Sequence, residues 1–282
     1  MLKRTGGYFT TRKPSTATDA SAHLEREGYV VVKGALSVDE IQVLRDAINQ
    51  VFEKYPPDNR SSVRTSSDDT MFRYEMFNRS AVCQTCLSHP AILDTIEPLL
   101  GNDCHVIANT AWRNPAGYQT ADGFNWHIDG GPHIPLDEGV SWPDNIPHPV
   151  FAVGVHVFLQ DCDIADGPTG VIPGSHLSGR FPPRDKVLDD DLDYDGQQVV
   201  PLIVKAGDIG FFVSDLWHRR MPTSDADQGR FFLQMHYARR DISQRVHDSG
   251  QTNQVSEDAI ERADNPRERT LVGLHEPNFY DG

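Results

Sequence analysis

The segment Trp126-His127-Ile128-Asp129 combines imidazole and carboxylate side chains, which are the ligand types of a metal site. On an extended chain, residues two apart face the same side, so His127 and Asp129 can hold one metal together. A third ligand must come from elsewhere, and His218 fits best, because it follows an apolar run typical of a barrel strand. Two histidines and one carboxylate form the facial triad of non-haem Fe(II), which leaves three coordination positions open. A His–Asp hydrogen bond at a strand end is the alternative.

Arg230 begins a run whose alternation predicts a strand with two unlike faces. An apolar face that packs outward would point Arg230 into the barrel, where a buried guanidinium needs an anionic partner. Its planar fork suits a carboxylate bidentately, and an internal salt bridge to an aspartate is the alternative. One predicted face carries Arg230, Phe232, Gln234 and His236, and the other carries Phe231, Leu233, Met235 and Tyr237.

Taken in order along the chain, these residues resemble the phytanoyl-CoA dioxygenase family over roughly residues 24–240. The motifs that carry the resemblance are His127-x-Asp129, the turn at 166–176, Gly207-Asp208, His218 and Arg230. The resemblance implies a double-stranded β-helix and an oxygenase that uses Fe(II), 2-oxoglutarate and O2, and releases succinate and CO2. It also implies that His127, Asp129 and His218 bind iron, and that Arg230 binds the distal carboxylate of 2-oxoglutarate.

Three further residues are candidates for contacts inside the barrel. Arg220 stands where the family often has a small or hydroxyl residue, so it either points away or adds a second cation near the cosubstrate or substrate. His156 lies where the family often has a large side chain that lines the site, and Asn114 lies on the strand before the metal motif. Both are expected to contact the cosubstrate. The alternatives are a satisfied core histidine and a turn residue before Pro115.

The long insertion at 132–149 is expected to shape the substrate entrance, with His133 and Trp142 as substrate contacts. Retention of Asp129 separates this chain from the family's halogenating branch and implies hydroxylation or another oxidation. The basic residues that a coenzyme A thioester would need do not form a convincing patch. The chain is therefore expected to oxidise a small molecule of secondary metabolism.

The remaining pattern predicts a mainly β fold, a barrel or jelly roll, with N-terminal helices packed on one sheet. The family resemblance implies that this is the cupin-like jelly roll, the double-stranded β-helix. Ser37 and Glu40 form a capping box that starts one helix, and a second helix is expected over 90–100. Short apolar runs between turn signals predict the strands. These runs are Gly28–Val32, Val106–Trp112, Pro149–Leu159, Thr169–Ile172, Val199–Val204, Ile209–Val213 and Arg230–Ala238. Residues 1–20 are expected to form a tail, 21–240 a single oxygenase domain, and 241–282 a C-terminal extension.

The composition narrows the possible partners. Among 282 residues, 26 are basic and 41 acidic, and the net charge of −15 argues against a nucleic-acid or anionic-membrane partner. Twelve histidines against four cysteines favour nitrogen and oxygen ligands over thiolates for any metal. The expected protein is cytoplasmic, and a monomer or homodimer.

Two functions of other classes remain open. One is a metal-binding barrel without oxygenase activity, such as a cupin-like isomerase or a ligand-binding module. It would keep the three ligands but would not need Arg230. The other is an inactive relative used for interactions.

Overall fold

Two antiparallel sheets form the centre of this computed structural model, which describes residues 17–56, 71–117, 123–242 and 255–275. The larger sheet has the strand order β1-β7-β4-β9-β3-β2 and the smaller one β6-β5-β8. The strands are β1 (Tyr29–Val32), β2 (Phe72–Tyr74), β3 (His105–Asn114), β4 (Ala152–Phe158), β5 (Thr169–Val171), β6 (Val200–Pro201), β7 (Ile209–Val213), β8 (His218–Arg220) and β9 (Arg230–Ala238). Every predicted strand is present, although β6 is shorter than expected, and β2 and β8 were not predicted.

Helices cover one face of the larger sheet. The helix predicted at Ser37 is confirmed, since the Ser37 and Glu40 side chains close the capping box reciprocally. The helices are α1 (Asp19–Glu27), α2 (Val38–Lys54), α3 (Met76–Arg79), α4 (Ala81–Thr85), α5 (Pro90–Leu100), α6 (Glu257–Glu261) and α7 (Pro266–Leu271). No described helix has the length and apolar character needed to cross a membrane.

Strand β9 separates the main core from the interior of the barrel. Its outward residues Phe231, Leu233, Met235 and Tyr237 are buried in the hydrophobic core beneath the helices. Its alternate residues Arg230, Phe232, Gln234 and His236 line a cavity between the sheets. The predicted alternation is therefore confirmed, and it fixes which side chains of β9 face the interior.

The smaller sheet closes the other side of the cavity. His127 continues this sheet through a bridge to His218, in which each backbone N–H donates to the other residue's carbonyl at 3.0 Å. Trp126 and Trp217, which precede these histidines, point away from the cavity and pack together. The bridge brings two positions 91 residues apart in the sequence side by side.

The two C-terminal helices pack on the same core. Ala259 of α6 and Leu271 of α7 are fully buried members of the main hydrophobic cluster. Arg267 of α7 donates to Glu97 of α5 at 2.8 Å. Residues 1–16, most of the predicted tail, and 276–282 lie outside the described residues. The domain boundaries stay a prediction.

Candidate metal centre

His127, Asp129 and His218 meet at the edge of the cavity. Each offers one ligand atom, and these atoms all lie within 4.8 Å of one another. Asp129 Oδ1 lies 3.8 Å from His127 Nε2 and 3.5 Å from His218 Nε2. The structure thus brings together the three residues that the sequence singled out, and their atom types are those of the facial triad.

Backbone carbonyls orient both imidazoles. His127 Nδ1 lies 2.8 Å from the carbonyl oxygen of Asn125, and His218 Nδ1 lies 2.9 Å from that of Leu216. Because a carbonyl oxygen only accepts hydrogen bonds, each neutral ring carries its proton on Nδ1. The lone pair is then on Nε2, the atom that faces Asp129 in both cases, as in metal sites whose ligand histidines are oriented by the other ring nitrogen.

The electrostatics of the triad favour positive charge. Loss of water contacts opposes ionisation of Asp129, but His218 and His236 outweigh it and hold the pKa of this carboxyl well below its ordinary value. Burial alone would lower the pKa of His218, yet Asp129 raises it above its ordinary value. Both shifts show a carboxylate that attracts a cation, and a divalent metal meets that demand with a higher charge than a proton.

His236 is a residue of this site that the sequence analysis did not single out. Its Nε2 lies 2.8 Å from Asp129 Oδ2, the carboxylate oxygen that is turned away from the triad's two histidines. The alternation of β9 had already placed His236 on the cavity face, so a signal for it existed in the sequence. Its contact with Asp129 depends on how two distant segments meet, which the alternation does not reveal.

A cavity of about 730 Å³ extends from the triad into the barrel. It contains seven of the nine residues predicted to form the site: His127, Asp129, His218, Arg230, Asn114, His156 and Arg220. Its other described walls are largely aromatic and polar, and include Phe72, Tyr74, Thr110, Trp112, Phe124, Phe212, Phe232 and Gln234. The triad and Arg230 therefore face one common space.

Arg230 is buried, and a backbone carbonyl holds it on one side. Its Nη1 donates to Gly167 O at 2.9 Å, and its guanidinium lies 4.9 Å from the ring centroid of Phe232. Its Nε is buried without a hydrogen-bond partner, and burial lowers the pKa of its guanidinium from the ordinary value. A buried cation with unused N–H capacity is a strong attractor for a carboxylate.

His156 lies on β4 among aromatic rings. Its ring centroid is 4.6 Å from that of Phe232 and 4.9 Å from that of Phe212, and neither ring nitrogen has a hydrogen-bond partner. Burial, followed by the charge of Arg230, lowers its pKa well below the ordinary value, so the imidazole is neutral. His156 is therefore not a core histidine whose ring nitrogens are both hydrogen-bonded, which was the alternative interpretation of this position.

Two other predicted contacts also line the cavity. Asn114 is buried at the end of β3, beside Arg230 in the sheet register, and its Nδ2 lies 3.1 Å from the sulfur of Met71. Arg220 is 6% exposed, so it points inward and not away. Its Nη2 lies 3.5 Å from Asp166 O, next to the carbonyl that Arg230 uses.

His133 and Trp142 are not among the residues that line this cavity, and their substrate contacts stay a prediction. The His133 ring binds Asp215 and stacks on Phe151, with 4.8 Å between ring centroids. The Trp142 indole makes its hydrogen bond within the insertion, where Nε1 donates to Ile146 O at 2.6 Å.

Comparisons with known proteins agree with this geometry. The chain is 25% identical over 177 residues to an ectoine dioxygenase of Sphingopyxis alaskensis, covering 60% of this chain and 52% of the relative. It is 26% identical over 161 residues to an L-proline trans-4-hydroxylase of Streptomyces griseoviridis, covering 57% and 56%. The matches thus span about half the length of these curated relatives.

Solved structures show the same architecture. EctD from S. alaskensis, solved with 2-oxoglutarate and 5-hydroxyectoine, superimposes with a TM-score of 0.63 at 20% identity, covering 89% of this chain and 85% of that one. HygX from Streptomyces hygroscopicus, solved with nickel and 2-oxoglutarate, gives 0.60 at 13% identity, covering 80% and 89%. These likenesses confirm the predicted jelly-roll fold. The family model for phytanoyl-CoA dioxygenase matches residues 24–227, and the chain belongs to that family.

Proposed function

We propose that this protein is an Fe(II)- and 2-oxoglutarate-dependent dioxygenase that oxidises a small molecule and releases succinate and CO2. One observation carries the proposal: the triad and the buried guanidinium of Arg230 face the same cavity. This cosubstrate requires a metal that its 2-oxo acid end can chelate and a cation for the carboxylate at its other end. Membership of the phytanoyl-CoA dioxygenase family supports it.

Each end of the cavity has its own proposed role. His127 Nε2, Asp129 Oδ1 and His218 Nε2 would hold Fe(II), which supplies the activation of O2 when it is bound. Arg230 would bind the distal carboxylate of 2-oxoglutarate through its N–H groups. We further propose that Asn114 and His156 contact the cosubstrate between the metal and Arg230.

The walls of the cavity position the reactants and exclude water. Phe212 and Phe232 enclose His156 between the two ends, and Trp112 stacks near Phe232 with ring centroids 6.2 Å apart. Such a lining would exclude bulk water from the metal site. The protein's contribution is thus orientation and protection, and no side chain needs to act as a general base.

The substrate is proposed to occupy the part of the cavity lined by Tyr74, Phe124 and Gln234, with Arg220 as one of its contacts. The relatives named above act on ectoine and L-proline, which are small polar molecules. A cavity of about 730 Å³ accommodates a cosubstrate and a molecule of that size. We propose hydroxylation of such a small metabolite in a biosynthetic pathway. The cytoplasmic location and the monomeric or homodimeric state stay predictions.

The test is spectroscopic and needs no substrate. Under anaerobic conditions, purified protein receives Fe(II) and then 2-oxoglutarate, and the visible charge-transfer band of chelated iron is recorded. We expect the band in the wild type and its loss in Asp129→Ala, which removes one ligand oxygen. Protein that binds iron but shows neither the band nor affinity for 2-oxoglutarate would be the metal-binding barrel without oxygenase activity.

A further inference from the structure

We propose that His236 is a positioning residue that holds one oxygen of Asp129, so that this carboxylate binds the metal through its other oxygen alone. The inference rests on the proposed function and assigns a role to a residue outside the triad. Its basis is the contact of 2.8 Å between His236 Nε2 and Asp129 Oδ2.

The two oxygens of Asp129 have different surroundings. Oδ1 lies 3.5 Å from His218 Nε2 and 3.8 Å from His127 Nε2, on the side where the ligand atoms converge. Oδ2 lies against His236, which is on the opposite sheet. An ionised carboxylate only accepts hydrogen bonds, so Nε2 of His236 carries the proton and donates it to Oδ2.

His236 does not belong to the ligand set itself. Among the residues that the structure describes, the group whose ligand atoms all lie within 4.8 Å of one another contains His127, Asp129 and His218 only. A proton on Nε2 also removes the lone pair that would bind a metal from the atom nearest the site. The imidazole therefore acts through Asp129.

The larger sheet makes room for this ring. In the register, His236 on β9 lies between Ala108 on β3 and Gly154 on β4. A Cβ at Gly154 would lie 3.3 Å from His236 Nε2 and 2.6 Å from the Phe212 ring. Small residues on both sides thus leave a slot in which the ring reaches up to Asp129.

Fixing Oδ2 sets how many coordination positions remain. In a six-coordinate site, two imidazoles and one carboxylate oxygen occupy three positions. The remaining three suffice for a chelating cosubstrate and one further ligand. A carboxylate bound through both oxygens would leave only two, and the chelate would fill them. His236 therefore preserves the open position that the chemistry needs.

The test compares variants that lose or keep the donor. His236→Phe keeps a ring but has no N–H, His236→Leu is a second donor-free variant of smaller size, and His236→Gln retains a donor. We expect the two donor-free variants to bind Fe(II) about 10–100-fold more weakly under anaerobic conditions. At saturating Fe(II) they should also form a weaker 2-oxoglutarate band, because Asp129 is no longer held to one oxygen. His236→Gln should keep most of the Fe(II) affinity and most of the intensity of the 2-oxoglutarate band.

A matched control is His23→Phe, on α1 and outside the cavity lining, with circular dichroism and thermal unfolding recorded for every variant. Wild-type affinity and a full band in either folded donor-free variant would overturn the inference, as would a loss in His236→Gln equal to theirs. Failure of the wild type itself to form the band would instead sink the proposed function, so the two failures are distinguishable.

Discussion

The indole Nε1 of Trp112 donates a hydrogen bond of 2.7 Å to Oε1 of Gln234. An indole nitrogen has no acceptor capacity, so the oxygen of the Gln234 amide must be the atom that faces Trp112. Thr110 adds a second donor to the same oxygen at 3.1 Å. The NH2 group of Gln234 is consequently turned away from both, and it presents a fixed donor in the wall of the cavity.

From this orientation we predict that Gln234 recognises an acceptor oxygen of the substrate. Gln234→Glu keeps the acceptor for Trp112 and Thr110 but replaces the donating NH2 with a carboxylate oxygen. The substrate's KM should rise about 10–100-fold, since a hydrogen bond is lost and repulsion replaces it. The substrate is first identified by succinate release across a metabolite library, and kinetics follow.

Gln50→Glu, an exposed change of the same charge on α2, is the control for that variant. The dissociation constant of 2-oxoglutarate should change little in Gln234→Glu. An unchanged KM for the substrate, or a loss confined to the cosubstrate, would contradict the assignment.

Arg230→Gln should weaken binding of 2-oxoglutarate by about 100-fold, because a buried carboxylate would lose its charged partner. Iron affinity should be nearly unchanged. The sharper comparison uses 2-oxobutyrate, which lacks the distal carboxylate. 2-Oxobutyrate should bind weakly, and with the same affinity, to the wild type and to Arg230→Gln. The control Arg113→Gln, which changes a residue outside the cavity lining, should leave the affinities for both ligands unchanged. Equal losses of iron and 2-oxoglutarate would refute the role of Arg230.

Arg220→Gln addresses the second guanidinium of the cavity. If Arg220 contacts the substrate, Arg220→Gln should raise the substrate's KM by about 10-fold or more. The affinity for 2-oxoglutarate should stay within about twofold of the wild type. Titrations of the anaerobic Fe(II) protein with 2-oxoglutarate measure the second quantity. A large loss there would move Arg220 to the cosubstrate, which is the alternative that its position beside Arg230 allows.

The alternation of β9 shows what the sequence could predict. Period-two patterning placed Arg230 and His236 on the cavity face, because it follows from strand geometry alone. It could not predict that His236 reaches Asp129, since that contact depends on the register with Ala108 and Gly154 on neighbouring strands. Such pairings join segments far apart in the chain, and no local pattern records them.

The insertion at 132–149 marks the opposite case. Its length and position at the barrel predicted a substrate entrance, but the direction of a loop depends on the partners it finds. The His133 backbone N–H donates to Asp215 Oδ2 at 2.9 Å and its ring stacks on Phe151, so these two residues set where His133 lies, and its place at the entrance stays a prediction. Helix α1 overlaps the end of the predicted tail, because Thr18 and Ser21 close a capping box in which serine stands where the usual sequence pattern has Glu or Gln.

A last prediction concerns acid stability and starts from His176, which is fully buried and whose Nε2 lies 3.0 Å from Glu25 O. Burial, with a smaller effect from nearby His148, lowers its pKa to about 4 from the ordinary 6.5. Between these two values the unfolded chain binds more protons than the folded one, so stability falls as the pH drops through this window. From pH 7 to pH 5 the free energy of unfolding should fall by about 2 kcal/mol on account of His176.

Urea unfolding of the wild type and His176→Gln at pH 7 and pH 5 measures this contribution. Glutamine cannot take up a proton in this range, so the variant should lose about 2 kcal/mol less on acidification even if it is less stable at pH 7. Three other histidines with a lowered pKa, His105, His156 and His275, are present in both proteins and cancel in the difference. Parallel losses in the two proteins would show that His176 is not held neutral by its burial.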